Sequence, residues 1–378
     1  MRILSIVGAR PQFIKIAPLC REIEKYNKSS LENVEHIIVH TGQHYDKGMS
    51  SNFFKELEIP RPEINLGIGS GKQGVQTARM LEKIEEVLLE IKPDVVIIYG
   101  DTNSTVAGAL APVKLHIPTA HVEAGLRSFN RKMPEEINRI VADHVSDILF
   151  APTKTAMDNL KKEGLASRSI FTGDIMYDAI LSNRILAEKK SKILEKLSLN
   201  SDNFALATIH RAENTDNIER LHNILDAFNE ISETHYPVIF PVHPRTQKYI
   251  KEKLSEWQAH PNFQLINPVG YLDIIHLVNQ ANLVLTDSGG LQKEAFFLNK
   301  PCITLRDETE WIETVKAQAN LVVGTEPKKI LKAVSQWELR IKSNTKPSQS
   351  DITDSFGKGD AAKNILSYLI ASRGTKFY

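Results

Sequence analysis

The chain has 378 residues, of which 42% are apolar and 25% are charged, and its formal net charge is +1. This length suits two domains, and the balanced charge argues against a nucleic-acid-binding protein, which would carry a strong positive excess. Cys20 and Cys302 match no zinc or redox spacing, so we expect two reduced core cysteines. The N-terminal apolar run is too short for a signal peptide, and the longest apolar runs have strand length. The sequence therefore predicts no membrane insertion and a cytoplasmic protein.

Short runs rich in valine and isoleucine alternate with amphipathic stretches through the first half of the chain. The runs predict strands at Ile3–Val7, Ile37–His40, Val95–Tyr99, Thr119–Val122 and Ile148–Ala151. Between them, apolar residues at helical spacing predict helices at Thr77–Glu90, Thr105–Leu115 and Pro134–Val145. The lysine-rich stretch Asn183–Asn203 has no strand signal, which favours a solvated helix face over a binding patch.

A second series of the same kind follows. Strands are predicted at Ala205–Ile209, Val238–Val242, Phe263–Ile266, Leu283–Thr286, Cys302–Leu305 and Leu321–Val323. Helices are predicted at Ile218–Glu233, Asp273–Asn279, Leu291–Phe297 and Ala361–Ser372, with an exposed loop at Ser343–Gly359. Strands that alternate with helices indicate parallel sheets. The two series therefore predict two doubly wound α/β domains that join near Gly173.

Polar residues follow most of the predicted strands. In open parallel sheets, ligands bind beyond the carboxyl ends of the strands, so these residues are the candidate site. The candidates in chain order are Arg10, Lys15, Gln43, Asp101, Glu123, Arg127, His210, Arg211, His243, Ser288, Gly289 and Gly290.

Two of these positions suit a phosphate. Arg10 and Lys15 lie where the first strand turns into a helix, although neither a Walker loop nor a Gly-x-Gly-x-x-Gly motif is present, and surface solvation is the alternative. Ser288–Gly290 precedes a helix, and its backbone N–H groups could hold a diphosphate. Glu294, one turn later, could accept hydrogen bonds from both ribose hydroxyls. A Ser-Gly-Gly sequence alone could be only a helix cap, but together with Glu294 it favours nucleotide binding.

Three carboxylates in the first half could transfer protons. Asp101 and Glu123 end strands, and Glu135 begins a helix. One well-placed general acid or base contributes roughly 10²–10⁴-fold in rate. The alternatives are a favourable charge at a helix N-terminus for Glu135 and helix capping for Asp101. His210 ends a strand beside an arginine, which favours contact with a phosphate or sugar over a purely structural role.

Taken in order, the motifs resemble those of one family, the non-hydrolysing UDP-N-acetylglucosamine 2-epimerases. The resemblance covers nearly the whole chain, and although each motif is weak alone, the ordered set is specific. The matching stretches are Gly8–Lys15, Thr41–His44, Gly100–Asn103, His121–Arg127, Pro134–Arg139, His210–Asn214, His243–Arg245 and Thr286–Glu294.

The resemblance implies a GT-B-like fold of two Rossmann-like domains that face a cleft, with the C-terminal helix crossing back to the first domain. The expected bounds are residues 1–172 with 360–378, and a UDP-binding domain of residues 173–359. The implied reaction eliminates UDP to 2-acetamidoglucal and adds it back with inversion at C2. It interconverts UDP-N-acetylglucosamine and UDP-N-acetylmannosamine for surface polysaccharide synthesis. No metal or other cofactor is implied, and homodimers are usual in the family.

The resemblance also implies roles for individual residues. The implied catalytic set is Asp101, Glu123, Glu135 and His210, and the C2 base among the carboxylates stays open. The implied UDP contacts are Arg10, Lys15, Ser288, Gly289, Gly290 and Glu294, and we add Gln43, Arg127, Arg211 and His243 as candidate substrate-binding residues. Where some bacterial members have a glutamine that binds an activating second substrate molecule, this chain has Asp46, which leaves activation by substrate open.

Four other functions remain as alternatives. A close sub-branch of the family epimerises UDP-2,3-diacetamido-2,3-dideoxyglucuronate, and an extra cation in the sugar pocket would favour that substrate. A hydrolysing epimerase, a glycosyltransferase of the same fold and a nucleotide-sugar sensor without catalysis are the others.

Overall fold

The computed structural model describes residues 1–43, 54–201, 203–343 and 349–374. The chain forms two compact units. Unit 1 consists of Met1–Ser182 and Thr353–Tyr378, and unit 2 consists of Asn183–Ile352. His44 and Asp46, which the sequence motifs singled out, lie outside the described residues. No helix in the described ranges is long and apolar enough to cross a membrane.

Unit 1 is built on a seven-stranded parallel sheet. Its strands are β1 (Arg2–Val7), β2 (Glu35–His40), β3 (Ile64–Asn65), β4 (Val95–Tyr99), β5 (Thr119–Val122), β6 (Ile148–Ala151) and β7 (Ser169–Phe171). They pair in the order β3-β2-β1-β4-β5-β6-β7. Every residue of β4 is buried, as expected for a central parallel strand covered on both faces. The order reverses direction between β1 and β4, which is where an open α/β sheet leaves room for a ligand.

Helices connect these strands. They are α1 (Arg10–Ser29), α2 (Gln73–Ile91), α3 (Asn103–Lys114), α4 (Pro134–Val145), α5 (Lys154–Lys162) and α6 (Ile175–Lys190), with a short 3₁₀ turn at Ala166–Arg168. The core between α2, α3 and the sheet is aliphatic, with Met80, Ile84 and Leu88 of α2 against Leu4 and Ile98 of the strands. This packing fixes the loops at the carboxyl ends of the strands.

Unit 2 is built on a six-stranded parallel sheet. Its strands are β8 (Ala205–Thr208), β9 (Val238–Pro241), β10 (Phe263–Ile266), β11 (Leu283–Thr286), β12 (Cys302–Thr304) and β13 (Asn320–Val322), in the order β10-β9-β8-β11-β12-β13. Its helices are α7 (Ile193–Leu197), α8 (Ala212–Thr215), α9 (Ile218–Thr234), α10 (Pro244–Lys253), α11 (Tyr271–Gln280), α12 (Gly289–Phe297), α13 (Ile312–Lys316) and α14 (Pro327–Lys342). The two parallel sheets confirm the predicted α/β class with two parallel-sheet domains.

The chain ends in α15 (Gln349–Phe356) and α16 (Ala361–Ala371). The prediction that Ser343–Gly359 is an exposed loop is wrong for α15, because the side chains of Ile352 and Phe356 are fully buried. Two apolar residues among many polar ones are too weak a pattern to predict this helix. The final helix α16 packs on α1 of unit 1, and Tyr368 meets Phe150 of β6 at a ring distance of 5.7 Å.

Candidate functional site

The carboxyl ends of β4 and β5 bring two of the predicted carboxylates to neighbouring positions. Tyr99 pairs with Val122 in register, so the residues that follow each strand lie side by side. The backbone N–H of Gly100 donates to Val122 O at 3.1 Å. Asp101 and Glu123 therefore stand at adjacent strand ends, as the sequence predicts for a parallel sheet.

Glu123 forms an ion pair with Lys15 of α1, in which the ammonium donates to Oε2. Only 10% of the Lys15 side chain and 8% of the Glu123 side chain are exposed. The backbone of Glu123 is in the left-handed region, with φ +74°. A bulky residue held there stores strain, which is typical of functional positions. The sheet places the cation and the carboxylate together although they are 108 residues apart in the chain.

Asp101 forms an ion pair with Arg139 of α4. The neighbouring Asn138 side chain donates to the backbone carbonyl of Asp101 at 3.0 Å. Asp101 does not cap α3, because Thr102 is the N-cap and its hydroxyl accepts from Thr105 N. The capping alternative for Asp101 is therefore wrong, and its carboxylate is held by a cation instead.

Two consecutive glutamates begin α4, and the structure separates their roles. Glu135 is exposed in the first turn of the helix. Glu136 is buried, and its carboxylate accepts from the backbone N–H groups of Ser128 and Phe129 at 2.9 Å each. Burial raises the pKa of Glu136, but the hydrogen bonds from Ser128 and Phe129 and the charge of Arg139 outweigh this effect and hold the pKa below its usual range. Glu136 thus fixes the loop before Glu135, and Glu135 stays open to a ligand.

Arg127, a candidate substrate contact, has only 1% of its side chain exposed. Its guanidinium lies 2.7 Å from the carboxylate of Asp143 and donates twice to Glu163 at 2.7 Å. Burial lowers the pKa of Arg127, but the hydrogen bonds and charges of Glu163 and Asp143 outweigh burial and raise it above its usual value. This geometry makes Arg127 a support of the loop rather than a group that faces a ligand.

The remaining unit 1 candidates lie near the first two strands. Arg10 is exposed at the first residue of α1. The Gln12 side chain accepts from the backbone N–H groups of Gly8 and Ala9 at 2.7 and 2.9 Å, so these two donors at the start of α1 are already occupied. Gln43 reaches across to α3, where its Oε1 accepts from Ser104 N at 3.0 Å and from the Ser104 hydroxyl at 2.7 Å.

Unit 2 carries a second group of predicted residues around the N-terminus of α12. Ser288 is the N-cap, and its hydroxyl accepts from Leu291 N at 3.4 Å. The backbone N–H groups of Gly289 and Gly290 find no acceptor among the described residues. Free N–H groups at the positive end of a helix dipole are a ready anion site. That this segment holds a diphosphate stays a prediction, which these two N–H groups support.

A carboxylate packs directly against this helix start. A side chain at Gly289 would collide with Oε1 of Glu310, so the end of the Glu310 side chain would have to move away from the helix start. Arg306 donates to Glu310 at 2.8 Å, and the Arg211 guanidinium is 3.8 Å away. Burial raises the pKa of Glu310, but the charges of Arg306 and Arg211 and the hydrogen bonds outweigh burial and hold the pKa below its usual range. No sequence motif pointed to Glu310 or Arg306.

Glu294 lies one turn into α12, where only 6% of the residue is exposed. The Tyr271 hydroxyl at the start of α11 donates to its Oε1 at 3.0 Å. Tyr271 holds the carboxylate in a defined orientation, which suits recognition of vicinal hydroxyls.

Asp287 organises the loop that carries His210 and Arg211. It is fully buried and accepts from the backbone N–H groups of both residues, at 3.1 and 3.0 Å, and from the Asn214 side chain at 3.1 Å. The His210 side chain is 47% exposed, with Nδ1 3.4 Å from Asp287 Oδ1. Burial lowers the pKa of His210 and exceeds the opposing effect of Asp287. His243 is exposed, and its ring nitrogen caps α10 by accepting from Arg245 N at 3.3 Å.

Several supporting residues escaped the sequence interpretation. Arg139 had a signal, since it ends the Pro134–Arg139 stretch one turn after Glu135 on the same face of α4. Asp143 and Glu163 had none, because carboxylates are usually solvated and only the packing shows that these two pair with Arg127.

The chain is similar to known proteins along almost its whole length. A family model described as UDP-N-acetylglucosamine 2-epimerase matches residues 27–370. A UDP-N-acetylglucosamine 2-epimerase homolog from Methanococcus maripaludis is 54% identical over 98% of this chain and 99% of its own. A UDP-2,3-diacetamido-2,3-dideoxy-D-glucuronate 2-epimerase from Pseudomonas aeruginosa is 47% identical over 98% of this chain and 99% of its own. The crystal structure of Methanocaldococcus jannaschii UDP-GlcNAc 2-epimerase in complex with UDP-GlcNAc and UDP matches with a TM-score of 0.84 at 45% identity, over 98% of this chain and 100% of that one.

Proposed function

The chain belongs to the UDP-N-acetylglucosamine 2-epimerase family, and we propose that it interconverts UDP-N-acetylglucosamine and UDP-N-acetylmannosamine without hydrolysis. This is a family of isomerases that act on UDP-sugars, and the match confirms the family that the ordered motifs indicated. The observation that carries the proposal is the placement of two carboxylates, each paired with a cation, at the neighbouring ends of β4 and β5. These are Asp101 with Arg139 and Glu123 with Lys15.

The proposed reaction breaks two bonds of the sugar. The C2–H bond breaks as a carboxylate takes the proton, and the C1–O bond breaks as UDP leaves with the electron pair. The double bond of 2-acetamidoglucal then forms between C1 and C2. In the reverse step UDP adds back to C1, and a proton is delivered to the opposite face of C2. Two faces need two proton carriers, and Asp101, Glu123 and the exposed Glu135 are the candidates.

In this proposal unit 2 holds the nucleotide. The leaving diphosphate gains negative charge, and the free N–H groups of Gly289 and Gly290 with the positive end of α12 would stabilise that charge. Arg211 and His210 lie on the neighbouring loop after β8 and supply further donors. Glu294, oriented by a tyrosine hydroxyl, is placed to accept hydrogen bonds from the ribose.

Isotope exchange tests the proposal. The enzyme with UDP-N-acetylglucosamine in D₂O is followed by proton NMR, and we expect deuterium at C2 together with the manno epimer. Asp101→Asn and Glu123→Gln should each lower the exchange rate by about 10²–10⁴-fold. Asp158→Asn, an exposed carboxylate on α5, is the matched control and should leave the rate unchanged. Absence of both exchange and epimer with every candidate nucleotide would refute the proposal.

A second substrate is supported by the relative from Pseudomonas aeruginosa, which is 47% identical over 98% of this chain. UDP-2,3-diacetamido-2,3-dideoxyglucuronate differs by an amide at C3 and a carboxylate at C6. The same exchange assay on this nucleotide separates the two, since the physiological substrate should give the higher kcat/KM. Release of UDP in step with substrate loss would instead identify a hydrolysing epimerase.

Two further parts of the proposal concern the state of the enzyme. We include a homodimer, which the family resemblance implies, and a cytoplasmic location, which the short apolar runs of the sequence predict. Sedimentation of the purified protein at several concentrations tests the dimer, and a species of 42.5 kDa at all of them would count against it.

A further inference from the structure

A network of four titratable side chains, three of them buried, lies at the ends of β4 and β5. Asp143 of α4 is its centre and is fully buried. Its carboxylate contacts His121 Nδ1 at 2.7 Å, the backbone N–H of Gly125 at 3.0 Å and the Arg127 guanidinium at 2.7 Å. Glu163 completes the network by accepting two hydrogen bonds from Arg127.

Both ring nitrogens of His121 face hydrogen-bond acceptors. Nε2 lies 2.7 Å from the carbonyl oxygen of Gly100. A carbonyl oxygen can only accept, so Nε2 carries a proton. Nδ1 faces the carboxylate of Asp143. The Arg127 guanidinium and the Gly125 N–H both approach Asp143 Oδ2, which favours an ionised carboxylate. An ionised carboxylate can only accept, so this geometry calls for a proton on Nδ1 as well.

With protons on both ring nitrogens of His121, the charges of the network would balance, because His121 and Arg127 would face the carboxylates of Asp143 and Glu163. Only 1% of the His121 side chain is exposed. A buried charge is tolerated where it is paired and hydrogen-bonded, and each ring N–H here has an acceptor at 2.7 Å. The surroundings thus accommodate a cationic ring.

The network reaches both loops that carry a candidate catalytic carboxylate. Gly100 immediately precedes Asp101, and Gly125 follows Glu123 by two residues. Both glycines have positive φ, +64° and +83°, so each loop turns sharply where the network holds it. We propose that His121 is a buried imidazolium and that, with Asp143, it is a positioning residue that holds the Asp101 and Glu123 turns in register with each other.

The charge state is tested on the wild-type enzyme. With ¹⁵N-labelled histidine, NMR at pH 7 should show a slowly exchanging proton on each ring nitrogen of His121, with two ¹⁵N frequencies typical of protonated nitrogen. His121→Gln assigns these signals by their loss, and neutron diffraction is the alternative if that variant does not fold. One protonated and one bare ring nitrogen would overturn the imidazolium. This measurement does not depend on the proposed reaction.

The positioning role rests on the proposed function and is tested by kinetics. A misplacement of about 1 Å costs on the order of 10²-fold in rate, so His121→Gln and Asp143→Asn should lower kcat and C2 exchange about 100-fold while KM stays within about twofold. His222→Gln is the matched control, because His222 lies on α9 of unit 2, has 47% of its side chain exposed and pairs with Asp226 of its own helix at 3.0 Å. It should keep wild-type kcat.

The two possible failures are distinguishable. If the wild-type enzyme epimerises a candidate nucleotide and the folded variants His121→Gln and Asp143→Asn keep its kcat, the positioning role is overturned. The proposed function would then still stand. A wild-type enzyme that shows two ring protons but no turnover on any candidate nucleotide would overturn the proposed function and the kinetic role, while the imidazolium would stand.

Discussion

The ion pair between Lys15 and Glu123 offers a quantitative test of the site. Both side chains are about nine-tenths buried, so removing one partner leaves an uncompensated buried charge. Such a loss costs about 3–5 kcal/mol. For a unit of this size each 1 kcal/mol lowers Tm by roughly 2–4 °C, so Lys15→Met should lower the Tm of unit 1 by about 6–20 °C. Methionine keeps the apolar stem of the lysine, so the loss reports the charge.

Calorimetry of a double-mutant cycle measures this coupling. Lys15→Met and Glu123→Gln should each lower the free energy of unfolding of unit 1. The double variant should lose about 2 kcal/mol or more less than the sum of the two single losses, because neither charge is left without its partner. Lys25→Met on the same helix α1 is the control. Its side chain is 73% exposed and lies 3.8 Å from Glu22, and such pairs contribute about 0–1 kcal/mol. Additive losses of stability in the double variant would refute the reasoning. So would a Tm of Lys15→Met within 1 °C of the wild-type value, measured in a calorimeter that resolves about 0.3 kcal/mol.

Three further predictions concern single positions. Gly289→Ala would force the end of the Glu310 side chain away from the helix start, whereas Gly290→Ala meets only a hydroxyl oxygen at 3.9 Å and should gain about 0.5–1 kcal/mol. Thermal denaturation should give Gly290→Ala the higher Tm of the two variants, and equal or reversed values would contradict the packing. Gly100 has φ +64°, and an added Cβ would meet the Lys15 ammonium, so Gly100→Ala should cost about 1–2 kcal/mol in stability and lower kcat more than tenfold. An unchanged kcat would count against a site at this turn. Burial raises the pKa of Asp178 from 3.8 to about 7, so the folded state binds this proton more tightly than the unfolded state. The free energy of unfolding should therefore fall by up to about 4 kcal/mol between pH 4 and pH 7, and Asp178→Asn should remove that slope in urea titrations; parallel pH profiles for the two proteins would show that the carboxyl is not responsible.

The sequence predicted the central strands closely. Val95–Tyr99 coincides with β4, because a strand buried on both faces reads as one continuous apolar run. The edge strands Ile64–Asn65 and Ser169–Phe171 escaped prediction, since two or three residues are too few to show a period. The helix Gln349–Phe356 escaped because two buried apolar residues hold it in place within a polar segment.

A side chain's role could be predicted from sequence only where its partner lies close to it in the chain. Ser288 caps the helix that its own sequence predicts, because an N-cap and the backbone N–H that donates to it lie within three residues. Arg127 was predicted to contact the substrate, and the structure instead pairs it with Asp143 on α4 and with Glu163 directly after α5. Its neighbours in sequence carry no information about those partners.

The sequence by itself determined the alternation of strands and helices, and with it the parallel sheets and the row of polar residues at their carboxyl ends. These features follow from local periodicity and from a rule that holds for every open parallel sheet. Only the tertiary structure decided which charges meet. Lys15 reaches Glu123 across 108 residues, and His121 with Asp143 joins two loops. Strand order and helix packing, rather than chain distance, set which side chains share a buried volume. In that volume an unpaired charge is costly, so the packing selects the partners.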